Sequence, residues 1–305
     1  MTFLASRTSR RRSGHRNLKI VPWLLMAPAA IGILGVIGYP LVQTVWISLH
    51  EGRGLRTGAW VGFDNYVEMF TDPGAQAAFL RTIMLTAVTV VGSMVGALII
   101  ALVLNSNLPG MKLLTILVIL PWAMPRVSAA ILWKWAFDSQ YGVVNWVLSK
   151  LGLDMFDGFG WFSSGPTALI VVSIAIIWAK IPFLAIALLA ALKAVPEDVN
   201  EAAKLDGASP FQILTRIKIP IMRPVIMVLF VLATIQAFQA FDHIFVMTVP
   251  PGGPNHSTEI LSLLTYLEAF AFLDGGMGSA LAMLSFSVLA VVTFLYVRMQ
   301  REETV

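Results

Sequence analysis

The sequence predicts an all-α membrane protein of six transmembrane helices with both termini in the cytoplasm. Three observations predict it. Hydrophobic residues fill 57% of the 305 positions and charged residues only 12%, about half of the roughly 25% usual in a soluble domain. Six apolar runs long enough to cross about 30 Å of hydrocarbon recur along the chain. Lys and Arg gather in alternate connecting segments, as the positive-inside rule asks of a polytopic protein.

The runs cover residues 20–49, 82–104, 111–137, 167–192, 225–246 and 279–297. Residues 1–19 form a basic tail containing "RTSRRRSGHRNLK", and residues 20–305 form one transmembrane domain. The "APA" at Ala27 to Ala29 loosely imitates a signal-peptidase site, but the run is too long for a signal core and reads as an uncleaved span. Fourteen Lys and Arg fall on one side of the membrane, against Arg53, Arg56, Arg81 and Lys150 on the other. That asymmetry places both termini and the segment around residues 195–221 in the cytoplasm. The formal charge of +4 sits mainly in the tail, which is a topology signal and not a nucleic-acid surface. The absence of Cys excludes disulfides and thiolate chemistry.

Gly92-x-x-x-Gly96 in the second run, and Gly32, Gly35 and Gly38 in the first, predict close helix packing. Pro121 and Pro125 in the third run predict a bent or interrupted helix, tolerated where neighbours or a cavity satisfy the freed carbonyls. No internal repeat is visible.

Between the fourth and fifth runs lies "EAAKLDGASPFQILTRIKIP". Pro196 opens a short helix, Glu197 and Asp198 complement its dipole, and Gly207 stops it. Val199, Ala202 and Ala203 share one face, with Glu201 opposite. Ser209-Pro210-Phe211-Gln212 reads as a capping box that starts a second short helix, ended by Pro220. Phe211, Leu214 and Ile217 form its stripe, with Ile213 beside it. These features alone fit an ordered loop, helices lying in the headgroup layer, or a docking surface.

The same segment resembles a known signature. Glu201-Ala202-Ala203, Gly207, Ile217 and Ile219-Pro220, with Asp206, Ala208 and Pro224, are similar to the EAA loop of permease subunits of binding-protein-dependent ABC importers, with Ile219 where leucine is usual. The likeness extends over most of the chain and is strongest to the carbohydrate-uptake group of maltose-type and glycerol-phosphate-type permeases. It runs through "APAAIGILGVIGYPLVQTVWISL", "LPWAMPRVSAAILWKWAFDSQYGVVNWVL" and "FDHIFVMTVPPGGPNHSTEILSLLTYLEAF". Two extra residues lie between Thr248 and Gly252-Gly253-Pro254.

The resemblance implies a type I ABC importer permease fold with two short coupling helices, in the cytoplasmic membrane of a prokaryotic cell. It implies a second homologous permease, two ATPase subunits, an extracytoplasmic solute-binding protein, membrane lipid around the spans and a sugar substrate. It further implies that Glu201, Ala202, Ala203, Asp206, Gly207, Ile217 and Pro220 couple to the ATPase. The chain has no G-x-x-x-x-G-K-[ST], so ATP and magnesium are expected on the ATPase partner and no cofactor on this chain.

Polar groups within the runs are default candidates for the solute path: Arg126, Lys180, Gln236, Gln239 and Asp242. Gln236 and Gln239, three residues apart, can offer amides to sugar hydroxyls from one helix face. Trp133, Trp135 and Trp178 can supply flat apolar platforms; an interfacial belt is the alternative for these tryptophans, and Trp135 fits it best. Asp242 also suits an ion pair or a helix cap. A membrane-embedded enzyme finds no motif among the scattered His15, His50, His243 and His256. An ion-coupled carrier would explain Asp242 and Lys180 but not the capped segment at 196–220. A purely structural subunit is the third alternative.

Overall fold

The computed structural model describes residues 21–53, 56–106 and 108–302; the basic tail at 1–19, with six of the residues that set the expected orientation, lies outside them. Among the described residues five helices are long and apolar enough to span a membrane, six if the bent third pair counts as one span. In chain order the helices are α1 (Pro22–Ser48), α2 (Asp64–Thr71), α3 (Pro73–Leu104), α4 (Met111–Ala123), α5 (Arg126–Ala136), α6 (Val143–Lys150) and α7 (Gly165–Lys193). There follow α8 (Glu197–Leu205), α9 (Pro210–Ile213), α10 (Ile219–Phe238), α11 (Phe241–Met247), α12 (Leu261–Ala271) and α13 (Gly275–Glu302). A small antiparallel hairpin of β1 (His50–Arg53) and β2 (Arg56–Trp60) follows α1.

The centre of the bundle is the α3–α7 pair. A Cβ added at Gly92 would lie 2.6 Å from Ile177 Cδ1, and one at Gly96 would lie 2.7 Å from Ile181 Cδ1. The G-x-x-x-G expectation therefore holds: the missing side chains let two isoleucines of α7 seat against α3. Leu188, Leu192, Met222 and Leu229 continue that core towards α10, while Ile176, Ile244, Ile260 and Leu263 close its other end.

Gly32, Gly35 and Gly38 behave differently, because an added Cβ at Gly32 or Gly35 would meet nothing within 4 Å and one at Gly38 only Leu34 of its own helix. The expected close packing at these positions is not made within this chain. The reason is that α1 docks mainly through Tyr39–Ser48 against α13, and the earlier turns carry exposed Leu24, Leu25 and Val36.

Two prolines are carried by wide turns. Residues Leu34–Gly38 and Leu214–Lys218 are π-helical, closed by Tyr39 N–H to the Leu34 carbonyl and by Ile219 N–H to the Leu214 carbonyl. Each closure falls one residue before a proline, Pro40 or Pro220. In a regular α-turn the proline ring would press on the carbonyl four residues back, which would also lack a donor; the five-residue turn shifts that register. Pro220 consequently does not end the second short helix. Residues 210–238 run on as one helical segment without a loop, so of the two short helices expected between the fourth and fifth spans only α8 stands free.

Candidate functional site

The interruption expected at Pro121 and Pro125 is present, with α4 and α5 meeting at 99° across Met124 and Pro125. A second interruption falls at Gln239 and Ala240, between α10 and α11. The two breaks face each other across a cavity of about 410 Å³ whose back wall is α7. Arg126, Lys180, Gln236, Gln239 and Asp242 all line it, so the polar residues scattered through three runs converge on one place.

Each polar group there has a defined setting. Arg126, the first residue of α5, places Nη1 3.9 Å from Asp242 Oδ2, the two side chains being 67% and 37% exposed. Lys180 Nζ donates to the Ala233 carbonyl at 3.2 Å. Gln236 and Gln239 are exposed to the cavity. His243 is buried against the cavity, and its Nε2 has no hydrogen-bond partner. Among the described residues no cluster of His, Cys, Asp or Glu could hold a metal ion.

The aromatic wall differs from the one expected. Trp133 and Trp178 pack edge to face at 5.7 Å, with Phe137 stacked on Trp133 at 5.8 Å, and neither tryptophan lines the cavity. After the 99° break the phase of α5 is reset, and Trp133 turns into the core beside Ala130 and Val172. Trp135 is exposed. The ring faces at the cavity are those of Trp122 and Phe183, stacked at 6.2 Å with planes 21° apart. Trp122, Phe183 and His243 were not legible as site residues; the one available signal was the position of Trp122 between two helix-breaking prolines.

The second feature is the segment from α8 to α10. Pro196 is the N-cap of α8, one position before the first-turn place expected of it. Gly207 adopts φ +76°, its N–H donates to the Lys204 carbonyl at 3.1 Å, and Ala208 N–H donates to the Ala203 carbonyl at 3.0 Å. Those paired bonds form a Schellman closure, which wants glycine at its left-handed residue. The capping box is complete, Ser209 N–H donating to Gln212 Oε1 at 2.8 Å and Gln212 N–H to Ser209 Oγ at 3.3 Å.

Ala203 and Ile213 are the buried members of this segment; Glu201, Ala202, Asp206 and Pro220 are exposed and Ile217 half-buried. The expected apolar faces are therefore shifted, since Ala202 and Val199 point away from the core and Ile213, not Phe211, enters it. Leu205, 89% exposed, and Phe211, 73% exposed, flank the Gly207 turn and leave an uncovered apolar surface beside Glu201.

A bundle of five to six spans with a polar cavity between two broken helices defines a multi-pass membrane permease. The chain belongs to the family of binding-protein-dependent transport system inner membrane components, whose model matches residues 90–303; it is a permease subunit and not an ATPase. It is 36% identical to the diacetylchitobiose uptake system permease protein DasB of Streptomyces coelicolor, covering 95% of this chain and 89% of that one. It is 37% identical to the sulfoquinovosyl glycerol transport system permease protein SmoG of Agrobacterium fabrum, covering 93% and 91%. The fold superposes on a chain of a bacterial alginate ABC transporter solved in complex with an alginate pentasaccharide-bound periplasmic protein. That match has a TM-score of 0.81 at 22% identity and covers 94% of this chain and 96% of that one.

Proposed function

We propose that this chain forms half of the translocation path of an ATP-driven importer for a sugar or sugar-like solute, and that the segment at 195–221 receives the motion of a separate ATPase. In this reading a second homologous permease completes the path and two ATPase subunits bind ATP and magnesium beneath it. An extracytoplasmic binding protein delivers the solute, and both termini and the 195–221 segment face the cytoplasm. The named solutes of the two curated relatives, a disaccharide derivative and a glycosyl glycerol, support the sugar class.

The observation that carries the proposal is the helical continuity past Pro220. From Pro210 to Gln236 the chain follows helical turns without a loop, about 39 Å at 1.5 Å per residue. A stiff rod thus joins the capped turn beside Glu201 to the amides at the cavity. Displacement of α8 by an ATPase cleft would be transmitted along α10 to Gln236 and Gln239 and to the break that follows them. Leu205 and Phe211 would bury against the cleft wall, Ala202 would permit close approach, and Glu201 would meet a basic group.

At the other end, Gln236 and Gln239 offer donors and acceptors to hydroxyls, and the Trp122 and Phe183 rings offer apolar faces of the size of a sugar ring. The test is ATP hydrolysis by the purified complex with its binding protein and a panel of sugars. Stimulation by a sugar supports the reading; hydrolysis that no sugar changes, together with unaltered coupling in Glu201→Ala, would sink it.

A further inference from the structure

We propose that the solute carried by this cavity is an acidic sugar, one bearing a carboxylate, sulfonate or phosphate ester, and that Lys180 is the group that receives its charge. The proposal rests on the import reading above and narrows its solute class.

Lys180 stands midway along α7, about 22 Å of helix from Gly165 and about 20 Å from Lys193. A cation at such a depth is costly unless an opposite charge meets it. Its hydrogen bond to the Ala233 carbonyl satisfies one of three ammonium donors and supplies no charge. Among the described residues the only carboxylate lining the cavity is Asp242, and it faces Arg126. Two cations therefore share one carboxylate, and the cavity carries a surplus positive charge.

Arg126 is itself loosely held. At 3.9 Å its contact with Asp242 exceeds the roughly 2.7–2.9 Å of a charge-assisted hydrogen bond, so its guanidinium fork can turn to a second anion. The N-terminus of α5 opens beside it with no side-chain cap, adding the positive end of a helix dipole. His243 lines the same cavity and is 7% exposed, but its Nε2 is enclosed by protein and it brings no anion to offset the two cations. Among the described residues neither Gln236 nor Gln239 makes a side-chain hydrogen bond, which leaves both amides for neutral hydroxyls. A neutral sugar would use the amides and the aromatic faces but leave Lys180 uncompensated; an oxyanion on the sugar meets the amides and the surplus charge together.

The experiment uses the whole complex in proteoliposomes with ATP inside and saturating binding protein outside. Probes are mono- and disaccharides, each offered as the neutral sugar and as its C6 uronate, sulfonate or phosphate. The expected result is at least tenfold faster uptake of acidic members. In Lys180→Met that preference falls at least tenfold, and Lys180→Arg retains it. The wild-type preference decides the solute class even if Lys180→Met fails to assemble. Neutral members carried as fast as their acidic counterparts would overturn the acidic-sugar assignment and leave the importer reading intact. If no member of either kind is carried, both fall.

Discussion

The Arg126 guanidinium lies 3.9 Å from the Asp242 carboxylate, joining the first residue of α5 to the first turn of α11 and so linking the two helix breaks across the cavity. The pair is partly solvated, and contacts of this kind contribute about 1 kcal/mol or less to stability. Arg126→Gln and Asp242→Asn are accordingly expected to shift the thermal midpoint of the complex by only a few degrees while lowering solute uptake about tenfold. Thermal unfolding measured beside uptake on the same preparations checks this; a large loss of stability with unchanged transport would make the pair structural.

The tryptophans divide by role. Trp122 faces the cavity and Trp133 packs in the core, so Trp122→Ala should raise the solute concentration for half-maximal uptake roughly tenfold without much loss of stability. Trp133→Ala removes a large ring from packed neighbours and should cost about 3 kcal/mol, seen as a lowered midpoint and poor expression. The reverse assignment of effects would contradict the geometry.

Much of this arrangement was legible in the sequence, for physical reasons that also mark where it stopped. Apolar runs locate spans because hydrocarbon thickness fixes their length, and Gly92, Gly96, Gly207, Ser209 and Gln212 declared their roles because close approach, a left-handed closure and a capping box each demand particular residues. Facing is different: it depends on helix phase, and phase is lost at every break. The interruption at Met124 and Pro125 turned Trp133 into the core and Trp122 to the cavity, and the one at Gln239 and Ala240 hid His243. Pro220 misled for a related reason, since proline stops an α-turn but a π-turn one residue earlier carries the helix past it. The short helices α2 and α6 and the hairpin lack the length of apolar run that announces a span.

Packing of α3 on α7 makes a sharp prediction. With a Cβ at Gly92 or Gly96 only 2.6–2.7 Å from an isoleucine methyl, alanine can be accommodated by a small shift of the side-chain end, whereas leucine cannot. Gly96→Leu should destabilise by about 1–3 kcal/mol through overpacking and Gly96→Ala by much less. Thermal midpoints of the two variants provide the comparison.

The Gly207 closure separates folding of the turn from its contacts. Its φ of +76° costs a branched residue about 1–2 kcal/mol, so Gly207→Val should disturb the turn and reduce solute-stimulated ATP hydrolysis several-fold, with Gly207→Asn affected least. Inserting two glycines after Pro220 should have a stronger effect, breaking the rod between α8 and the cavity. ATP hydrolysis should then continue while uptake falls at least tenfold, and a complex still transporting at the parent rate would show that motion does not travel along α10.

The central claim is that ATP, received through the segment around Glu201, drives solute past the cavity. Solute uptake into proteoliposomes carrying the whole complex tests it most directly, with either ATP inside and no ion gradient or a proton or sodium gradient and no ATP. The account predicts uptake in the first condition, lost in Glu201→Ala, and none in the second. Uptake driven by the ion gradient alone would contradict it.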